Sequence, residues 1–338
     1  MFEEITLVIP THNRHKYLSR ILDYYSDAPF KIIVADSSNY SYEGILSSNV
    51  AYHRFNVKTL TEKLALSLQL VKTPYVFMCA DDDFIIVEGV KRCLSFLKEN
   101  PSYSSVQGNI ICYLKETSIG IKVDYRTLYN HSLDYRINDE NPFDRLASFF
   151  KTYRTNFYGV HQTSNLVQAF DGVDKKFTSI YLNEYLSNII PIIKGNFAEL
   201  PFLFQVREYS TTSDGAVSEN VDAIFTNKKF KTDFDSLIEH QATIVSSILH
   251  TDFKYCKENI EKTLTDFAHQ LKMYKQKPLD VGGNKKIGNL VSKIPILGDR
   301  VIKKFRDIEI KKRLEPYIRS SEDLNELKKI SRFIQKHA

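Results

Sequence analysis

The chain has 338 residues, 43% of them hydrophobic and 26% charged, an ordinary balance for a soluble globular protein with room for two domains. Its longest unbroken apolar run is six residues against the roughly 20 needed to cross a bilayer, so no transmembrane helix is expected. The formal net charge of +5 is uneven: residues 271–338 carry 18 Lys or Arg against 8 Asp or Glu, and residues 1–270 carry 28 against 33.

The N-terminal MFEEITLVIP has two acids where a signal peptide would be positive, so export is not expected. Cys79, Cys93, Cys112 and Cys256 are widely spaced without a CxxC pair, which argues against a zinc site or disulfide framework and for a reducing cytosol. EITLVIP (4–10) reads as a buried strand, and residues 14–26 as a helix with Tyr17, Ile21, Leu22 and Tyr25 on one face. KIIVA (31–35) is a second strand and VAYHRF (50–55) a third. Thr59-x-x-Glu62 has the form of a capping box opening a helix through about Lys72, and YVFMCA (75–80) is the fourth strand. This alternation predicts parallel strands joined by right-handed crossovers, with ligands beyond their carboxyl ends. Polar residues gather there: Thr11, His12, Asn13 and Arg14, then Asp36, Ser37 and Ser38, then Asp81, Asp82 and Asp83.

A polar residue after a strand is commonly a solvated loop or a helix cap, and Asn13 and Asp36 taken singly fit that reading. Three consecutive carboxylates after an apolar strand instead call for a cation, because adjacent like charges repel and an unpaired buried carboxylate is costly. Hard oxygen ligands suit Mg²⁺ or Mn²⁺, which share their coordination with water and substrate phosphates.

ITLVIPTHNR, then IIVADSS, then an apolar strand ending in DDD resembles the nucleotide-binding half of GT-A glycosyltransferases, the family 2 type found in bacterial polysaccharide (capsule, O-antigen) clusters. The resemblance covers roughly residues 1–210 and is most specific in the first 90. It implies an α/β fold of GT-A type, a Rossmann-like, mostly parallel sheet with flanking helices. The catalytic domain would span 1–210, with a nucleotide-sugar half to about 112 and an acceptor half from 113. It further implies that Pro10, Thr11, Asn13 and Arg14 line a nucleotide pocket, that Asp36 faces the base, and that Asp81, Asp82 and Asp83 form the metal and ribose site. Many relatives read D-x-D-D, and Ala80 stands at the leading position, so which aspartate ligates metal stays open. Lys63 is either a nucleotide contact or a solvated helix lysine.

FYGVHQTSNL (157–166), followed by Glu184 in YLNEYL, resembles the acceptor-side region, which makes Glu184 the expected base, with Glu199, Asp171 and Asp174 as rivals. The implied reaction moves a sugar from a nucleotide-sugar, UDP-sugar favoured, to a hydroxyl of a glycan or lipid-linked saccharide, with inversion. The metal would offset charge on the departing diphosphate, and a single carboxylate would take the acceptor proton, a contribution of about 10²–10⁴. His12 and His161 either assist or are structural, and Arg207 is either a donor-phosphate contact or a surface arginine. A nucleotidyltransferase lacks support because ITLVIPTHNR has no glycine-rich, lysine-bearing loop. A scaffold that keeps the GT-A shape without catalysis is the remaining alternative.

Residues 210–220 are polar and suit a linker or mobile loop. The rest, 211–338, is expected to be a helical region, with Leu237, Ile238, Ile244, Val245, Ile248 and Leu249 giving residues 222–277 an apolar face. In 285–313, Ile287, Leu290, Val291, Ile294, Val301, Ile302, Phe305 and Ile308 alternate with basic residues around Pro295. Such a segment either lies on an anionic membrane surface, as a peripheral attachment to the inner face of the plasma membrane, or packs on the catalytic domain. Nucleic acid is not an expected partner, since the first 270 residues are acidic and carry no nucleic-acid motif.

Overall fold

The structure is a computed structural model that describes residues 2–115, 123–127, 134–173, 179–209, 227–276, 314–318 and 320–337. The expected linker at 210–220, the basic segment 285–313 and Asp174 lie outside the described residues.

The chain opens with β1 (Ile5–Thr11), α1 (His15–Tyr24), β2 (Lys31–Asp36), β3 (Val50–Arg54), α2 (Leu60–Leu70) and β4 (Tyr75–Met78), close to the segments expected. Thr59 caps α2 by accepting from the Glu62 amide at 3.2 Å. β1 is buried along nearly its whole length, and its apolar side chains feed two cores: Ile5, Leu7 and Ile9 one, Val8 the other. β2 and β4 pair with it in parallel, and β3 pairs in parallel with β2 as a half-exposed edge.

There follow β5 (Phe84–Ile85), α3 (Val87–Glu99), β6 (Tyr103–Lys115), β7 (Val123–Thr127), β8 (Tyr135–Ile137), α4 (Pro142–Lys151), β9 (Val160–Gln162), α5 (Thr163–Phe170), α6 (Ile180–Lys194) and β10 (Asn196–Tyr209). These make the sheet mixed: β9 is antiparallel to both β4 and β6, β10 is parallel to β6, and β5 closes the edge antiparallel to β10. The strand order is β3-β2-β1-β4-β9-β6-β10-β5, so the order in which strands are added switches sides between the parallel β1 and β4, where open α/β sheets bind ligands.

The described residues beyond 226 are largely helical, as expected. α7 (Lys228–Leu249) and α8 (Phe253–Gln276) are separated at His250, whose φ of 49° turns the chain. Leu237, Ile238, Val245, Ile260, Leu264 and Phe267 of this pair bury against Phe150, Tyr185 and Ile189 in the second core. α9 (Ser321–Lys336) places Leu327, Ile330 and Ile334 in the first core, and Phe333 meets the rings of Tyr24 and Phe84 edge-on. Both cores are therefore finished by residues beyond 210.

Candidate functional site

The triple aspartate occupies a turn, not a helix cap. β4 ends at Met78, Cys79 still donates to the Val8 carbonyl at 3.0 Å, and the Asp83 amide then closes back on the Ala80 carbonyl at 3.2 Å. All three aspartates are buried, and their counter-charges come from remote parts of the chain. Arg14 forks across two of them, Nη1 lying 3.1 Å from Asp81 Oδ1 and Nη2 donating to Asp82 Oδ2 at 2.6 Å. The Thr11 hydroxyl donates to Asp81 Oδ2 at 2.7 Å. Burial pushes the Asp81 carboxyl up to about 6, with the Arg14 guanidinium pulling the other way. Burial also acts to lower the Arg14 pKa, but Asp81 and Asp82 outweigh it and raise it.

Asp83 is held by the opposite edge of the cleft. The Glu208 amide donates to its Oδ1 at 2.9 Å, Gln205 Nε2 donates to its Oδ2 at 3.0 Å, and Arg207 Nε stands 3.3 Å from the same oxygen. Burial lifts the Asp83 carboxyl to about 7 against the Arg207 charge. Behind this group, buried Arg20 donates from Nη1 to Glu208 Oε2 and from Nη2 to the Asp82 carbonyl, both at 2.9 Å, and Tyr113 also donates to Glu208. Arg20 thereby joins α1, the aspartate turn and the end of β10.

Around these groups lies a cavity of about 470 Å³ at the carboxyl ends of β1, β2 and β4. Of the residues expected there, Pro10, Thr11, Arg14, Lys63, Asp81, Asp82 and Asp83 line it. Lys63 is buried and donates to the Thr11 carbonyl, so it is not a solvated helix lysine. Ser37, Lys58, Tyr158, Asn183 and Glu208 also line it. Arg207 lines it too, its guanidinium 5.1 Å from the Tyr158 ring centroid.

Asp36 does not face the cavity. It is wholly buried, accepting from the Ser38 amide on Oδ1, from Tyr52 on Oδ2, and facing His15 Nε2 at 2.9 Å. Burial opposes its ionisation, but these hydrogen bonds hold its carboxyl below the usual range. Ser37, one residue later, is the cavity-lining group. Asn13 is likewise absent from the lining: at φ 54° it accepts from the Asn39 amide and shapes the loop.

Glu184 is half-buried on α6 and does not line the cavity, whereas Asn183 and Ser179 of the same helix start do. Glu199 is buried and spent on Arg154 at 2.6 Å, with Gln107 donating to its other oxygen, and Asp171 is exposed at the end of α5. His161 is fully buried against the Asn156 carbonyl, and burial drives its pKa down to about 4, a neutral structural histidine. His12 lies on the cavity wall with Nδ1 2.9 Å from the Ser37 carbonyl.

Neither a family model nor a curated protein matches the sequence. Among solved structures, S. aureus TarS 1-349 in complex with UDP-GlcNAc superimposes over 88% of this chain and 83% of its own, with a TM-score of 0.52 at 13% identity. The fold is GT-A. A longer S. aureus TarS structure aligns with 91% of this chain and 54% of its own (TM-score 0.48, 12% identity), and TarS 1-349 with UDP with 81% and 91% (0.42, 12%). At these identities the likeness concerns the fold. The GT-A core supplies the β1, β2 and β4 ends on which this chain builds its aspartate cavity.

Among the described residues no three acidic, histidine or cysteine side chains converge as a complete metal cage. The donor set does suit a shared Mg²⁺ or Mn²⁺ site, because these ions take one or two carboxylates and complete their shell with water and phosphate oxygens. Asp82 fits that part best: among the described residues its side-chain bond runs through Oδ2 to Arg14, which leaves Oδ1 for coordination.

Proposed function

We propose that this chain is a glycosyltransferase that moves a sugar from a nucleotide-sugar, a UDP-sugar in the favoured case, to a hydroxyl of a glycan or lipid-linked saccharide. The observation that carries the reading is the cavity of about 470 Å³ in which the aspartate turn faces Arg14, Lys58, Lys63 and Arg207. Four carboxylates (Asp81, Asp82, Asp83 and Glu208) and these four cations line it, so its formal charges balance without a ligand. The diphosphate of a nucleotide-sugar adds about two negative charges, which makes a dication the natural companion of the donor.

In this reading Asp82, with Asp81 or Asp83, would hold Mg²⁺ or Mn²⁺ together with the donor. The chemistry supplied there would be Lewis-acid neutralisation of the negative charge growing on the leaving group. Arg207 and Lys63 orient the phosphates. The base is proposed at Glu184, one residue beyond the cavity-lining Asn183. Taking the acceptor proton from the face opposite the leaving group would give inversion. No described helix is long and apolar enough to cross a membrane. A lipid-linked acceptor would be met through the basic tail, whose residues 285–313 are proposed to lie on the anionic inner face of the plasma membrane.

A thermal-shift panel of UDP-, GDP-, dTDP- and CMP-sugars, with and without Mn²⁺, tests the reading. The right donor at 100 times its Kd stabilises the fold by about 2.7 kcal/mol. No shift with any sugar nucleotide at millimolar concentration would overturn it.

A further inference from the structure

Arg14 directly precedes α1, yet its side chain makes no capping bond there. It reaches back over the cleft to carboxylates 67 and 68 positions later, with its guanidinium carbon 4.3 Å from the Tyr17 ring centroid. The two aspartate side chains are 3% and 8% exposed, whereas that of Arg14 is 28% exposed. Arg20, by contrast, is 4% exposed and fixed between Glu208 and the Asp82 carbonyl. Lys63 is buried on the Thr11 carbonyl. Arg14 is thus the cation that touches two of the three carboxylates and still has a path to solvent.

The oxygens it uses, Asp81 Oδ1 and Asp82 Oδ2, belong to the carboxylates a divalent ion would need. A guanidinium and a dication drawing on the same pair of carboxylates repel each other across a buried, low-dielectric cleft. We propose that Arg14 is the exchangeable counter-ion of the aspartate turn. With no ligand bound it neutralises Asp81 and Asp82, and it yields them to a divalent cation when a nucleoside diphosphate arrives to receive the guanidinium. Arginine suits both partners, because its planar fork matches carboxylate and phosphate geometry alike. The Tyr17 ring gives it a surface over which to swing. The consequence is strong mutual coupling: the metal binds weakly alone and tightly with the nucleotide, and by linkage the nucleotide gains as much from the metal. Stray cations are thereby kept from the turn.

This inference rests on the site assignment made above, but its test does not need turnover. Bound and free Mn²⁺ are counted by electron paramagnetic resonance for wild type, Arg14→Gln and Arg14→Lys, each with and without UDP, after melting curves show that all three are folded. Arg14→Gln should bind Mn²⁺ alone at least about tenfold more tightly than wild type, and UDP should add less to its Mn²⁺ affinity. Arg14→Lys, which keeps a cation in place, should stay near wild type. Mn²⁺ binding by Arg14→Gln no tighter than wild type overturns the proposal, and so does equal tightening by the lysine variant. A wild type that ignores UDP with or without Mn²⁺ would instead count against the glycosyltransferase reading, while the Mn²⁺-only comparison would still decide the role of Arg14.

Discussion

Arg20→Met removes the cation that ties three parts of the cleft together. The Arg20 and Glu208 side chains are 4% and 3% exposed and 2.9 Å apart, so among the described residues the variant leaves a buried carboxylate with the Tyr113 hydroxyl as its remaining side-chain partner. It also strips a donor from the Asp82 carbonyl. Breaking one side of a buried pair costs about 3–5 kcal/mol, most of it from the stranded charge. Neutralising that charge should recover part of the loss, so Arg20→Met/Glu208→Gln should be less destabilised than the two single changes summed, by about 2 kcal/mol. Urea unfolding of the four proteins at constant slope measures both quantities. UDP affinity should fall along with stability in Arg20→Met, because the Glu208 amide that fixes Asp83 and the neighbouring Arg207 lose their anchor. A cost below about 1 kcal/mol, or strict additivity in the double variant, would refute the claim that this pair braces the site.

The other expectations are tested separately. Asp83→Ala should abolish metal-dependent nucleotide binding and lower turnover by at least about 10²-fold; full activity in EDTA together with an active variant would remove the metal from the scheme. Glu184→Gln should leave donor binding intact while kcat falls by about 10²–10⁴, and a kcat within a few-fold of wild type would move the base elsewhere. His161 has a folded pKa of about 4 against a reference value of 6.5, so the unfolded chain takes up the proton first. Its contribution is complete above pH 6.5 and drains away as pH falls toward 4, about 3 kcal/mol in all. His161→Gln should therefore flatten the pH dependence of unfolding over that window, and parallel curves would show that the histidine is not buried in its neutral form. Truncation after about residue 280 should release the protein from anionic liposomes at low salt and leave donor affinity unchanged, provided the shortened chain still melts cooperatively despite losing α9 from the first core. Equal and negligible pelleting of both forms would refute membrane attachment.

The first four strands, the helices between them and the polar strand ends were legible because each is a local pattern: apolar runs of buried parallel strands, one capping box, and acids placed where a strand must stop. The cations facing those acids were far less legible. Arg14 was readable as part of the first loop, but its partners stand 67 and 68 positions away, and Arg207 reaches Asp83 from the end of β10. Arg20 left one faint trace, a lone arginine beside Ile21 and Leu22 on the buried face of α1, where an unpaired charge would not be tolerated.

A single-residue step decides which of two neighbouring side chains reaches the cavity wall. Asp36, which the resemblance sets against the base, ends β2 and braces the loop, while Ser37, the first residue beyond the strand, lines the cavity. On a helix the same step is a turn of about 100°, and it separates cavity-lining Asn183 from Glu184. Acidic side chains are interchangeable in a sequence and sharply different in a fold. Glu199, which read as a rival base, is closed off by Arg154 and Gln107, whereas Asp82 keeps one carboxylate oxygen for a ligand. What separates a brace from a binding group is whether its lone pairs are already spent, a property settled by partners remote in the sequence, as Gln205 and Glu208 are from Asp83.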